Sequence, residues 1–433
     1  MEQALLLEKL LDLARPRAEG VEVYYLRSYS RPVLFENNRL KSLDSKAMQG
    51  VALRVIAQGR LGFAASTDLT RLEEVVNVAL DTATVGDPVE MDFAAAQQWE
   101  DTRPPVELPT TAALVEIGQG LVEQVHAYNP EILVDVSLQP SAGEVQILTD
   151  KGAYARYQRQ SLSVGLGGNW VRGEDFLQIY SYQVTDGSPP DYQRLVQEVV
   201  QKYRWAEQTT SITGGNLPVL FTPRAVASVL AGLFEAMLSG QAVVQKATPL
   251  ADRVGQRVFD PQWTITEDPT AGVNARRFDD ECTPTQTQTL IEQGVVRGFY
   301  WDRLWAQRAG GVSTGNGYRG GLSRPGPELL NLCIAPGMVP YAELVAQIRD
   351  GVMVDQVLGA GQSNQLAGEF SVNLDLGYRV VNGEIVGRVK NTMVAGSILE
   401  APVAAMSRER EWVGGSVYSP AILFASLGVA TRS

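Results

Sequence analysis

The 433-residue sequence contains one histidine, His126, and two cysteines, Cys282 and Cys333. Zinc centres built on two or three imidazoles are excluded, and two cysteines fifty-one residues apart do not make a zinc-ribbon pattern. Any Ser-His-Asp or Cys-His catalytic arrangement would have to use His126. Its neighbours Gln124, Val125, Ala127 and Tyr128, near the end of an expected helix, offer no partner, so a surface or capping role is expected. Two cysteines cannot make a disulfide framework, which fits a reducing compartment. Positive charge is also short, with 37 Lys and Arg against 49 Asp and Glu and a formal net charge of −12. No basic stripe offsets it, which argues against direct nucleic-acid binding, because phosphate recognition depends on clustered cations. Met1-Glu2-Gln3 opens without a basic leader region. No apolar run reaches the roughly 20 residues of a spanning helix. A soluble, cytoplasmic protein with no membrane partner is the expectation.

What is present reads as globular. The hydrophobic fraction of 45% and charged fraction of 20% are those of a folded soluble chain. This length predicts two or three domains. Residues 1–85 read as a first α+β unit: a Leu-rich helix over residues 4–15, a strand from Val21 to Leu26, hairpins turning at Asn37-Asn38 and Gln58-Gly59, and a helix from Leu69 to Thr84. Residues 86–108, rich in Pro and acid, read as a linker. Residues 109–208 repeat the succession, with a helix at Leu114 to Val125, a strand at Ile132 to Val136, a turn at Asp150-Lys151-Gly152, a strand at Phe176 to Val184 and a helix at Leu195 to Tyr203. A duplicated helix-strand-hairpin-helix unit is predicted.

Residues 216–433 read as a C-terminal domain, mainly antiparallel β. Hairpins are expected at Thr285 to Tyr300 and at Ser371 to Val389, where Asn382-Gly383 suits a type I′ turn. A helix is expected at Tyr341 to Gly351, and Val417 to Gly428 is expected to close the sheet. The domain opens on a helix over 222–240. Thr222 is its predicted N-cap, Pro223 its first residue and Gly240 its stop. Val226, Val229, Leu230, Leu233, Phe234, Met237 and Leu238 fall on one apolar face. The other side carries Ser228, Ala231, Gly232, Glu235 and Ser239, residues small enough to pack against backbone or to floor a cleft.

Two acidic clusters, Glu267-Asp268 and Asp279-Asp280-Glu281, are candidates for a carboxylate-only cation site. Such runs are ordinarily solvated turns. Gly315-Asn316-Gly317-Tyr318-Arg319-Gly320 matches G-x-G-x-x-G, but Ala309-Gly310-Gly311 precedes it and a Pro-rich segment follows. Without a strand before and a helix after, it is not a dinucleotide fingerprint. A loop of structural or substrate-positioning use is expected.

Several blocks in order resemble the TldD/PmbA family, once labelled modulators of DNA gyrase and associated with proteolysis. They are Gly50-Val51-Ala52-Leu53-Arg54-Val55-Ile56 with Gly59-Arg60-Leu61-Gly62-Phe63, then Phe278-Asp279-Asp280-Glu281, Ser313-Thr314-Gly315-Asn316, Asn331-Leu332-Cys333-Ile334 with Pro336-Gly337, and Asn382-Gly383-Glu384-Ile385-Val386 leading to Val394-Ala395-Gly396. In the TldD kind of chain, the resemblance implies, the opening helix carries an H-E-x-x-x-H zinc motif completed by a cysteine near the C-terminus. The matching residues here, roughly Gly232 to Met237, include no histidine, and Gly414-Gly415-Ser416 replaces the cysteine region. The chain therefore resembles the PmbA (TldE) kind. Where the family usually has Gly after the acidic block, this chain has Cys282.

The resemblance implies a non-catalytic subunit, without a cofactor of its own, that pairs with a zinc-bearing TldD-like chain in a heterodimer or larger complex acting on peptides or unfolded segments. No catalytic and no metal-ligating residue is assigned. Ser228, Gly232, Glu235, Ser313, Thr314 and Asn316 are the candidate substrate-groove residues, with strand addition as a way to hold an extended peptide. A stand-alone hydrolase would have Glu235, the only acid on the opening helix, as its first suspect. A regulatory adaptor acting on a topoisomerase or another protein is the third reading.

Overall fold

In the computed structural model, which describes residues 2–101 and 103–431, alternating side chains decide how the first sheet is used. Strand β1 (Gly20–Ser30) pairs with β4 (Lys46–Ala57), placing Val21 opposite Val55, Glu22 opposite Arg54 and Val23 opposite Leu53. Cross-strand partners share a face and neighbours along a strand do not. Val21, Val23, Val51, Leu53 and Val55 therefore lie under helices α1 (Glu2–Ala14) and α2 (Leu72–Thr84), which bury Leu7, Leu10, Leu11, Val75, Val76 and Ala79 against them. Glu22 and Arg54 face the other way.

Strands β2 (Val33–Glu36), β3 (Arg39–Leu43) and β5 (Arg60–Ser66) complete the first unit, and both expected turns are present, with positive φ at Asn37, Asn38, Gln58 and Gly59. The second unit runs through α3 (Thr111–Tyr128), long strands β7 (Leu133–Thr149), β8 (Ala153–Arg172) and β9 (Asp175–Thr185), and α4 (Tyr192–Trp205). Its strands do not form a separate sheet. β7 hydrogen-bonds β1, β2 and β8, joining both units in one nine-stranded sheet among the described residues. The stretch read as a linker is packed rather than free. Gln97–Asp101 (β6) pairs parallel with β8, and Val89, Met91, Phe93 and Ala94 are buried. Its apolar residues, spaced among prolines and acids, carry no periodicity from which that packing could be read.

Among the described residues the C-terminal domain is built on a twelve-stranded mixed sheet, mostly antiparallel, with parallel pairs where Thr209–Thr210 meets Glu384–Val389, where Gly215–Phe221 meets Asp350–Leu358 and where Leu332–Ile334 meets Val417–Thr431. Val417–Thr431 does not close this sheet but runs through its middle, pairing with Gly215–Phe221, Leu332–Ile334, Thr392–Ser397 and Val403–Val413. The Asn382-Gly383 turn has φ of 49° and 82°, as a type I′ turn requires. The expected strand to Tyr300 is limited to Val295–Val296. Period-two alternation again assigns faces: Leu220, Met353 and Leu423 join the core around α4, whereas Val219, Phe221, Val352, Val354, Ile422 and Phe424 receive the domain's opening helix. Helix α4 thus packs between the two sheets. The architecture is α+β with predominantly antiparallel sheets.

Candidate functional site

The opening helix starts where Thr222 Oγ1 accepts a hydrogen bond from Ala225 N (3.3 Å) and Pro223 takes the first turn. One turn, Val226–Leu230, is wound as a π-helix before Ala231–Leu238 resumes α geometry. All seven apolar-face residues are buried, and Phe234 packs on Trp263 with ring centroids 4.9 Å apart. Gly240 is not the stop. Ser239 is extended, and a short helix, Gly240–Val244, begins there. A Cβ on Gly240 would lie 2.1 Å from the Trp301 ring, so glycine is set by close approach rather than by helix termination.

The opposite side floors a cleft of about 570 Å³. Gly232, Glu235, Ala236 and Ser239 form the floor, Tyr300 and the Pro327–Leu329 segment one wall, and Gln365 with Leu366 the other. Tyr300 Oη donates to the Glu235 carbonyl (2.7 Å), locking ring and helix together. The Glu235 carboxyl is raised above its ordinary pKa by burial, and further by the charge of Glu328 on the wall. Of the six predicted groove residues, only Gly232 and Glu235 line this cleft. Ser228 is exposed outside it. Ser313 and Thr314 donate to the Trp301 carbonyl (3.0 and 3.3 Å), and Thr314 also bonds Asn316. Buried Asn316 donates to the Glu328 carbonyl (3.0 Å), so this loop braces the wall from behind. The wall residues Tyr300, Glu328, Gln365 and Leu366 were not legible in the sequence; they lie in loops and short turns without a motif.

Of the two acidic clusters, Asp268 alone heads a partly exposed turn, accepting from Thr270 N (3.0 Å), and the other four acids are buried. Asp279, Asp280 and Glu281 are fully buried, in a charge network between the first sheet and the C-terminal domain. Arg54 Nε and Nη2 donate to Glu22 (2.8 and 2.7 Å), and Nη1 donates to Glu281 Oε1 (2.8 Å). Arg319 also pairs with Glu22, and Arg276 with Asp280 (2.6 Å). Tyr157 Oη donates to the same Asp280 oxygen (2.8 Å). Burial acts to raise Glu22, but Arg54 and Arg319 outweigh it and hold that carboxyl below its ordinary value. Asp279 has no such partner. Burial and the Glu281 charge push it up to about 8, although Glu281 N, Thr283 N and Gly317 N all donate to it. Glu267, also buried, is raised to about 8 by desolvation; Oε1 accepts from Leu330 N (3.1 Å), and Oε2 has no hydrogen-bond partner among the described residues.

The Gly-rich loop serves this network. A Cβ on Gly317 would lie 2.3 Å from Glu281 Oε2, and Gly317 N donates to Asp279 (2.9 Å). Cys282 has φ of 58°, a left-handed conformation that favours glycine. His126 stands at the end of α3 with Nε2 3.1 Å from the Ile132 carbonyl, far in role from any catalytic group.

The donor set around the cleft does not fit zinc. It offers the carboxylates of Glu235 and Glu328, with no imidazole or thiolate on floor or wall. Among the described residues no group of three or more His, Cys, Asp and Glu side chains is arranged to hold a metal ion.

Helix, cleft and β-rich sheet nonetheless define a metallopeptidase-related scaffold: residues 214–431 match the PmbA/TldA metallopeptidase C-terminal domain, and residues 21–83 match PmbA/TldA metallopeptidase domain 1. The chain belongs to the TldD/PmbA family. It is 24% identical over 407 residues to the metalloprotease PmbA of Escherichia coli O157:H7, covering 90% of this chain and 87% of that one. A metalloprotease TldD homolog of Haemophilus influenzae is 23% identical, covering 88% of this chain and 83% of its own. The TldE structure from Thermococcus kodakarensis superposes with a TM-score of 0.89 at 24% identity, covering 98% of this chain and all of that one, and shares the fold.

Proposed function

We propose that this chain is the non-catalytic subunit of a two-chain zinc peptidase, paired in a heterodimer or larger complex with a TldD-like chain that carries the metal. Its substrates are peptides or unfolded segments, and its compartment is the cytoplasm, in keeping with two buried cysteines that are not joined. One observation carries this reading: the opening helix keeps a well-formed cleft of about 570 Å³ whose floor is small and lacks the imidazole and thiolate donors of a zinc site. The chain contributes shape, with Gly232 and Ala236 leaving room for an extended backbone beside the helix. Co-expression with a zinc-motif relative from the same genome, followed by purification and peptide assay, tests it. The pair is expected to co-purify and cleave, the isolated chain to do neither. Stoichiometric zinc and peptide cleavage by the isolated chain would overturn it.

A second reading, a hydrolase in its own right, is favoured by one feature, the raised Glu235 carboxyl facing Glu328 across the cleft. A raised carboxyl keeps its proton to higher pH than a free one, as a general acid requires. Metal-free peptidase activity that disappears in Glu235→Gln would support it over the subunit reading.

A further inference from the structure

A larger cavity, of about 680 Å³, lies apart from the cleft and shares no lining residue with it. Its floor is a row across three strands, Ser28 on β1, Gly143 on β7 and Arg159 on β8, which are register partners and so share a face. The centre of that row is bare. A Cβ on Gly143 would meet only the Arg27 carbonyl, at 3.5 Å, so the cavity reaches down to the sheet backbone. Pro105, Val106 and Val273 supply apolar surface around it.

Its charge is unusual for a chain of net charge −12. Arg103 and Arg159 line the cavity, and Arg27, beside Ser28 on β1, presents its backbone to it with its side chain on the other face of the sheet. Among the described residues, none of the three has a carboxylate within ion-pair distance. Of the two acids in the lining, Glu144 is paired with Arg156 Nε (2.8 Å), while Asp186 accepts from the Ser188 hydroxyl (2.8 Å) and keeps its charge, which acts on Arg103 from beyond ion-pair distance. Arg159 Nη2 donates to the Asn274 carbonyl (2.8 Å), and Arg103 donates to the Val273 and Ala275 carbonyls. Neutral carbonyls orient these guanidiniums without neutralising them. Burial, reinforced by the neighbouring Arg276, pushes Arg159 down to about 10, with Tyr157 and Asp280 opposing the fall only in part. A guanidinium has five donors in a planar fork that matches an oxyanion. Arg159 uses one of its nitrogens, which leaves the rest of the fork for a ligand.

We propose that this cavity is a binding site for an oxyanion, carboxylate or phosphate, carried on an apolar body, with Arg159 as the principal anchor and Arg103 as the second cation. The apolar surface of Pro105, Val106 and Val273 takes the body. The proposal does not depend on the peptidase-subunit reading.

Calorimetry on the full chain with three probes tests it: N-benzoylglycine, its amide, and phenyl phosphate. The free acid is expected to bind at least about tenfold more tightly than the amide, and more weakly as salt rises. Phenyl phosphate binding while the acid does not would assign the anion to phosphate and support the site. Arg159→Met should lose binding. Gly143→Val fills the bare centre without touching a charge and should lose it too, while thermal unfolding shows both variants folded. Binding of acid and amide with equal, measurable affinity, no binding of either anion, or wild-type affinity in both folded variants would overturn the proposal.

Discussion

Arg54 Nη1 lies 2.8 Å from Glu281 Oε1, although the two residues are 227 positions apart and their side chains are only 2% and 0% exposed. The contact joins strand β4 of the first sheet to the acidic block of the C-terminal domain. It is completed by Glu22, whose two oxygens accept from the same guanidinium. A charge network this dry is strongly coupled: Arg54 compensates Glu22 and Glu281 together, and without it both are left with less compensation.

Arg54→Met is therefore expected to destabilise the chain by about 3–5 kcal/mol, because Glu22 and Glu281 would remain buried with less compensation. Denaturant unfolding measures it. A loss below about 1 kcal/mol, the range of exposed pairs, would mean that the network is hydrated in solution.

Gly317→Ala should cost about 1–3 kcal/mol, since its Cβ would press on Glu281 Oε2 from 2.3 Å and displace a charged group that is already held on several sides. Gly320→Ala is the control. Its Cβ would meet nothing closer than Ser323 Oγ at 3.8 Å, so a change within about 0.5 kcal/mol is expected.

Glu267 supplies a pH dependence of definite sign. Its pKa is raised from 4.5 to about 8, so between those values the folded state binds more protons than the unfolded state. Stability contributed by the protonated group falls as pH rises through that window. Glu267→Gln removes this titration and should flatten the fall by up to about 1.4 kcal/mol per pH unit. Unfolding curves at pH 5, 6.5 and 8, chosen to span about this window, would show it. An unchanged slope would place the Glu267 carboxyl in a hydrated state. Asp279, also raised to about 8, shares the sign and remains in the variant, so the slope should shrink rather than vanish.

Cys282 occupies a left-handed conformation, with φ of 58°. Cys282→Gly relieves about 1 kcal/mol of backbone cost and loses a comparable amount of buried contact, so the net change should stay within about 1 kcal/mol. Cys282→Val, β-branched and larger, should cost about 2 kcal/mol or more. Thermal unfolding of both variants separates backbone from side-chain effects.

In the proposed complex, Gly232→Leu should weaken peptide binding. Its Cβ would already sit 3.2 Å from Gln365 Nε2, and a longer side chain extends over the cleft floor. The readout is a raised KM for the two-chain enzyme with co-purification intact. Unchanged KM would remove this cleft from the substrate path.

The sequence by itself determined the elements whose information is local. Thr222-Pro223 capped the opening helix, the three-and-four spacing from Val226 to Leu238 set its buried face, and Asn382-Gly383 set a turn, because caps, helical periodicity and positive-φ turns depend on residues a few positions apart. Tertiary structure decided the rest. Gly240 followed from the Trp301 ring, the acidic block at Asp279 was buried with Arg54 and Arg319 from distant segments beside the local Arg276, and the cleft wall was completed by Glu328 and Gln365. The substrate-groove prediction separated along the same line: Gly232 and Glu235 lie on the helix whose face could be read, whereas Ser313, Thr314 and Asn316 lie in a loop that folds behind the wall. An acidic run looks the same in sequence whether water or arginine surrounds it. The electrostatic energy that distinguishes the two comes from charges brought near only when the chain folds.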